Sequence, residues 1–245
     1  MFVRLLTGPS LERDIVMKKR NNSVKKYVFI IIPVVAVSIG LGVFVFSQEE
    51  SRQKAVVNES SKLILGGSPI LGASDAQLTV VEWGDYQCTY CHRFHENTKD
   101  IVFSNFVDSG KIRFAFRDFT LNGPASVLAA EASYCAGDQG KYWAYHDELY
   151  NNWKGENTGW VTMNNLKKFA SNVGLDIDAF DKCVQSDKYR QKVLDNYGYG
   201  QSIGINATPT FLIIDKDGNV QAIRGAQPYN IFDQVLKEKL RAINS

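Results

Sequence analysis

Histidine, cysteine and proline are scarce in this chain, at three, four and six among 245 residues. The four cysteines are Cys88, Cys91, Cys135 and Cys183. A zinc half-site at Cys88 and Cys91 would recruit His92 or His95, but no second C-x-x-C and no H-x-x-x-H completes a tetrahedral set. Basic stripes are also missing. Residues 1–26 hold seven Lys/Arg against Glu12 and Asp14, a net of +5, which leaves −3 for the remainder out of a total of +2. A slightly acidic body gives nucleic acid nothing to bind. Neither an internal repeat nor a low-complexity tract is present, which excludes solenoids and arrays.

One long apolar run stands out. Tyr27 to Phe46 is uncharged and long enough to span a bilayer as a helix. It lacks the polar face of a core helix and is long for a signal-peptide core. No A-x-A-like cleavage site follows it, and no nearby cysteine would carry a lipid. The run therefore predicts an uncleaved transmembrane anchor. The preceding Lys/Arg cluster should stay in the cytoplasm and place everything after Ser47 outside. Met17-Lys18-Lys19-Arg20 would make a more ordinary beginning for such an anchor than Met1. The expected organisation is a basic cytoplasmic tail (1–26), an anchor (27–46), a polar linker (47–75) and a globular domain (76–245).

Within that domain, Cys88-Thr89-Tyr90-Cys91 sits where a strand hands over to a helix. Leu78-Thr79-Val80-Val81-Glu82-Trp83 is β-branched and aromatic, as in a buried strand. Phe94, Ile101, Val102, Phe103 and Phe106 recur at helical spacings. Cys88 is thereby expected at a helix N-terminus, where free N–H groups and the helix dipole favour a thiolate. Cys91, one turn further in, would resolve a mixed disulfide formed on Cys88. A structural disulfide, the zinc half-site and chance spacing are the other readings of this pair; the strand-to-helix context favours redox chemistry.

A second strand, Lys111 to Arg117, completes a βαβ unit. Helical spacing then prevails from Pro124 to Ile203, followed by a strand from Pro209 to Ile214. A turn at Lys216–Asn219, a strand from Val220 to Arg224 and a closing helix over Ile231–Ile243 end the chain. Cys135 and Cys183 lie on apolar helical faces in the insertion. Two separate buried thiols would suit such positions. An outward-facing domain with one cysteine pair left over predicts instead that they form a structural disulfide.

The strand–helix–strand core, helical insertion and final ββα resemble the thioredoxin fold as elaborated in DsbA-like thiol:disulfide oxidoreductases. Three segments carry the resemblance: Val80 to Cys91, Gln139-Gly140-Lys141-Tyr142-Trp143-Ala144-Tyr145-His146-Asp147, and Gly204 to Phe211. The expected fold class is α/β, with an all-helical insertion at about 120–204 and a single transmembrane helix before it. The resemblance implies that Cys88 is the nucleophile and that Cys91 resolves. It also implies that Thr208–Pro209 is a cis peptide holding residue 208 beside Cys88, where substrate main chain pairs with it. By its chemistry alone, Pro209 reads as a trans proline opening a strand.

Glu82 matches an acidic position that moves protons at the cysteine pair, provided that it is buried rather than turned to solvent. His92 either donates to the Cys88 thiolate or is simply exposed. His95 and His146 read as surface or structural residues. Thr89-Tyr90 replaces the Pro-His pair of the best-known oxidases, which weakens thiolate stabilisation and leaves reductase or isomerase activity open. The reaction needs no metal or organic cofactor. Implied partners are cysteine-containing extracytoplasmic proteins and a membrane protein that reoxidises the pair. A tethered binding module with purely structural cysteines is the rival from another class.

Overall fold

The computed structural model describes residues 60–243, with Gln48 and Arg52 before them. The basic tail and the expected anchor at 27–46 lie outside the described residues. Among the described residues no helix is long and apolar enough to cross a membrane.

Strand β1 (Leu78–Gly84) is buried along its whole length, as its β-branched and aromatic composition requires. It pairs in parallel with β2 (Ile112–Asp118) on one side and antiparallel with β3 (Thr210–Asp215) on the other. β4 (Val220–Arg224) closes the sheet in the order β2-β1-β3-β4. Between β1 and β2 runs α1, which is helical over Thr89–Phe94 and Asp100–Val102 with π-helical turns at His95–Lys99 and Phe103–Val107. Five helices form the insertion: α2 (Pro124–Gly137), α3 (Tyr142–Asn151), α4 (Met163–Asn172), α5 (Ile177–Gln185) and α6 (Arg190–Ser202). Helix α7 (Tyr229–Ile243) ends the described chain. This is the expected thioredoxin fold with a helical insertion.

Three cores result. Leu78, Val80, Phe94, Phe106, Phe211 and Phe232 pack between one face of the sheet and helices α1 and α7. Val81, Trp83, Ala115 and Phe119 form a second core on the opposite face. The largest fills the insertion and reaches Tyr86, Cys88 and Cys91, so the helical bundle packs directly against the cysteine pair.

One sequence expectation is corrected. Ile101, assigned to the buried face of α1, is 44% exposed, while Val102 is buried. The π turn at His95–Lys99 inserts an extra residue, so the face begun at Phe94 continues through Val102 rather than Ile101. The described part of the segment expected as linker over 47–75 packs on the sheet. Residues 60–64 are helical, and Ser68 and Leu71 hydrogen-bond to Phe116 and Phe114 of β2. β2 is an edge strand, and this segment pairs with N–H and C=O groups on its open side. The buried Arg117 guanidinium adds to the attachment: it donates to the carbonyls of Lys62 and Leu63 and to Asn196 Oδ1, and lies over the Trp83 ring.

Cys135 of α2 and Cys183 of α5 are joined by a disulfide, with Cα atoms 5.8 Å apart and a separation of 48 positions in sequence. Closing a loop of that length restricts the unfolded chain. Replacing both cysteines by alanine is expected to lower the unfolding free energy by roughly 2–4 kcal/mol. Urea unfolding under oxidising conditions measures this, and an unchanged midpoint would show that the bridge contributes nothing.

Candidate active site

Cys88 is the N-cap residue of α1, with an extended backbone at φ −67° and ψ 126°. The turn that delivers it is built by Asp85. Its buried carboxylate accepts from the Gln87 N–H at 2.8 Å, the Asn122 N–H at 2.8 Å and the Ser126 hydroxyl at 2.6 Å. Its carbonyl accepts the Cys88 N–H at 3.0 Å. Gly84, just before it, lies so close to the Phe116 ring that a Cβ would come within 2.4 Å of it.

The two thiols are unbridged, and both are buried. Their electrostatics differ sharply. Cys88 is held down to about 6, chiefly by the hydrogen bond from the Cys91 thiol, against the opposing effect of burial. The Thr208 side chain and the backbone N–H groups of Cys91 and Tyr90 add to the lowering. Cys91 is pushed well above the ordinary thiol range by burial and by its bond to Cys88. One sulfur is thus a thiolate near neutral pH and the other keeps its proton.

Glu82 is buried at 3% exposure on β1, not turned to solvent. Burial and the neighbouring Cys88 charge raise it to about 8, while the Lys99 ammonium opposes them. It in turn raises Cys91, so the three groups influence one another's protonation. The Thr208–Pro209 peptide is cis, and the Thr208 carbonyl lies 3.5 Å from the Cys88 sulfur.

His92 does not meet the thiolate. Its ring stacks on Trp153 with centroids 4.4 Å apart, and its Nε2 lies 3.3 Å from Glu96. The π–π contact and the carboxylate turn it along the helix side, away from the N-terminus. His95 and His146 are both buried, and burial is the main cause that lowers each. His146 Nδ1 lies 3.0 Å from the Tyr86 hydroxyl, and His95 Nε2 lies 3.2 Å from Asn151 Oδ1. With Asp147 they bring ligand-type atoms within 4.8 Å of one another. The Lys99 ammonium already pairs with Asp147 at 2.7 Å, which puts a positive charge where a cation would bind.

A family model described as thioredoxin matches residues 65–235. The chain belongs to the thioredoxin family. It is 28% identical over 198 residues to disulfide bond formation protein D of Bacillus subtilis, covering 80% of this chain and 86% of that one. The crystal structure of oxidised BdbD from B. subtilis superposes with a TM-score of 0.66 at 26% identity, over 72% of this chain and 94% of that one. Wolbachia pipientis alpha-DsbA1 shares the fold at a TM-score of 0.67 and 24% identity, over 76% and 99% of the two chains. With its cysteine pair, this thioredoxin-family chain is a DsbA-like thiol:disulfide oxidoreductase.

Sequence reasoning missed three contributors to this thioredoxin-family site. Asp85 was readable, because an Asp two residues before an N–H it accepts is an ordinary turn former. Trp153 donates to the Gln87 carbonyl at 3.1 Å, and Glu156 accepts from Thr89 at 3.3 Å. Both come from the connection between α3 and α4, and no local pattern announces that this segment folds back over Cys88.

Glu82 generates a pH prediction. A carboxyl of ordinary value 4.5 raised to about 8 in the fold binds a proton more tightly folded than unfolded. The ionisation-linked cost of its burial is therefore absent below about pH 4.5 and grows as pH rises to about 8. Glu82→Gln should gain stability over wild type across that window, by several kcal/mol at its upper end. Urea titrations of the reduced proteins at a series of pH values check this. A difference independent of pH would mean that Glu82 ionises normally.

Proposed function

We propose that the protein is a membrane-anchored, extracytoplasmic thiol:disulfide oxidoreductase that introduces disulfides into protein substrates through Cys88 and Cys91. The asymmetry of the two thiols carries this reading. A reduced form stabilised by the Cys88 thiolate makes the corresponding disulfide a better oxidant. In the oxidised protein a substrate thiolate attacks Cys88 Sγ, the Cys88–Cys91 bond breaks, and a mixed disulfide forms. The departing Cys91 sulfur is a poor thiolate, and a protonated Glu82 supplies its proton. The second substrate thiolate then attacks the substrate's own sulfur and releases Cys88 as the thiolate. Two electrons have passed from the substrate dithiol to the pair. A membrane redox partner would return the pair to the disulfide.

Support for substrate pairing comes from the Thr208 carbonyl beside Cys88, since an extended peptide crossing Cys88 would find main-chain groups there. Tyr90, 54% exposed between the cysteines, offers an apolar surface to the same peptide. The name of the B. subtilis relative, a disulfide bond formation protein, favours the oxidising direction. The second reading is a reductase or isomerase of the same fold, favoured by the Thr89-Tyr90 dipeptide.

The anchor at 27–46 and its orientation rest on the apolar run and its basic flank. Cysteine-containing extracytoplasmic proteins are the proposed substrates.

Three measurements test these proposals. Cys88→Ser should abolish oxidation of a reduced dithiol peptide, while Cys91→Ser should accumulate a mixed disulfide on Cys88. A reduction potential at or above the glutathione poise supports the oxidase, and one near thioredoxin's own value, about −270 mV, supports the reductase. Protease added to intact cells or spheroplasts should release the domain by cutting before residue 60. A protected domain with an accessible N-terminus would reverse the proposed topology.

A further inference from the structure

The start of α1 presents the N–H groups of Thr89, Tyr90 and Cys91, and these serve two different acceptors. Those of Tyr90 and Cys91 stabilise the Cys88 sulfur. That of Thr89 is donated to Glu156 Oε2 at 3.3 Å, and the Thr89 hydroxyl reaches the same oxygen at 3.3 Å. Glu156 thus brings a carboxylate to the residue adjoining the reactive cysteine from 67 positions along the chain.

Its segment is fastened over the site. Trp153 Nε1 donates to the Gln87 carbonyl at 3.1 Å while its ring stacks on His92. Trp160 Nε1 donates to the Gly155 carbonyl at 3.0 Å. Gly155 and Asn157, on either side of Glu156, have φ of 109° and 56°, a left-handed course that glycine and asparagine adopt most readily. The chain therefore bends sharply on both sides of the carboxylate.

We propose that Glu156 is a positioning residue that holds a negative charge and a competing acceptor at the start of α1, keeping the Cys88 thiolate less favoured than the helix start alone would make it. The inference rests on the reading of Cys88 as the attacked sulfur. A like charge disfavours a neighbouring anion, and an N–H donated to Glu156 is not donated to Cys88. The other ionisable groups facing the pair are Glu82 and Asp85, both buried carboxyls raised mainly by burial, and the buried Tyr150 phenol of α3, raised by burial and by the cysteine charges. On α1 itself, Arg93 lies over the Tyr90 ring at 4.9 Å and His92 faces Glu96. Glu156 is exposed, unlike Glu82 and Asp85, so its charge can be changed with little effect on packing. By disfavouring the thiolate it makes the disulfide a weaker oxidant. A substrate peptide that displaced it from Thr89 would release that restraint.

Glu156→Gln keeps an acceptor oxygen and removes the charge; Glu156→Ala removes both. Titrating the thiolate absorbance of the reduced full chain should show Cys88 more acidic by about threefold in Glu156→Gln and by more in Glu156→Ala. The equilibrium constant against glutathione should move by a similar factor toward the reduced protein. About 1 M salt should narrow the wild-type–Gln difference, because an exposed charge is screened. Thermal unfolding of both variants should stay at the wild-type temperature. Titrations that coincide with wild type, or that move Cys88 toward a less acidic value, overturn the proposal; the second result would mean that Glu156 only orders the helix start. Alkylation at pH 7 shows which reading has failed. Labelling at Cys88 with unmoved titrations removes the Glu156 inference alone, whereas labelling at Cys91 removes the assignment of Cys88 as the attacked sulfur.

Discussion

The hydrogen bond from the buried Cys91 thiol to the Cys88 sulfur is the interaction on which the site depends. It leads the causes that hold Cys88 down to about 6, and it ranks second, after burial, in holding Cys91 up. One proton is thus retained between two sulfurs, and the geometry decides which sulfur has it. Cys88, as N-cap, faces the free N–H groups of α1; Cys91, one turn on, is sealed under the helical insertion. Glu82 sits behind them, close enough in charge to each for proton transfer to be coupled.

The surrounding fold keeps that arrangement in place from three directions. The sheet supplies Glu82 from β1 and, through the chain entering β3, Thr208 and the cis peptide. The Asp85 carboxylate ties the turn before Cys88 to α2 and to the loop ahead of it. The α3–α4 connection reaches over the helix start with Trp153 and Glu156. The insertion is therefore more than a cover over one face, since it places polar groups around the start of the CxxC turn.

A buried polar layer lies further from the sulfurs. Arg117, Asp118, Tyr134 and Asn196 form one hydrogen-bonded network joining β2, α2 and α6 to the segment before β1. Buried charges are costly unless paired and hydrogen-bonded, and this network provides partners for the guanidinium and for one oxygen of the Asp118 carboxylate. Behind α1, Lys99 with Asp147, and His146 with Tyr86, meet the same need.

Much of this was legible in the order of residues. The strand before Cys88, the helix after it, the helical insertion and the ββα ending follow from period and composition, because each element must bury one face of its own side chains. The Cys88 position at a helix start and the Cys135–Cys183 pairing follow from local context and from cysteine arithmetic. Other features depend on residues far apart in sequence. The π turn that leaves Ile101 exposed beside a buried Val102, the burial of Glu82 and the turning of His92 toward Trp153 are set by what packs against α1 and β1. The coverage of edge strand β2 by Ser68 and Leu71, and the reach of Glu156 across 67 residues to Thr89, are likewise invisible to any local pattern. The sequence by itself determined which atoms are the candidates for the chemistry, since a cysteine at a helix N-terminus is favoured as a thiolate. Only the tertiary structure decided their protonation, because burial and neighbouring charge arise from distant segments brought together by folding.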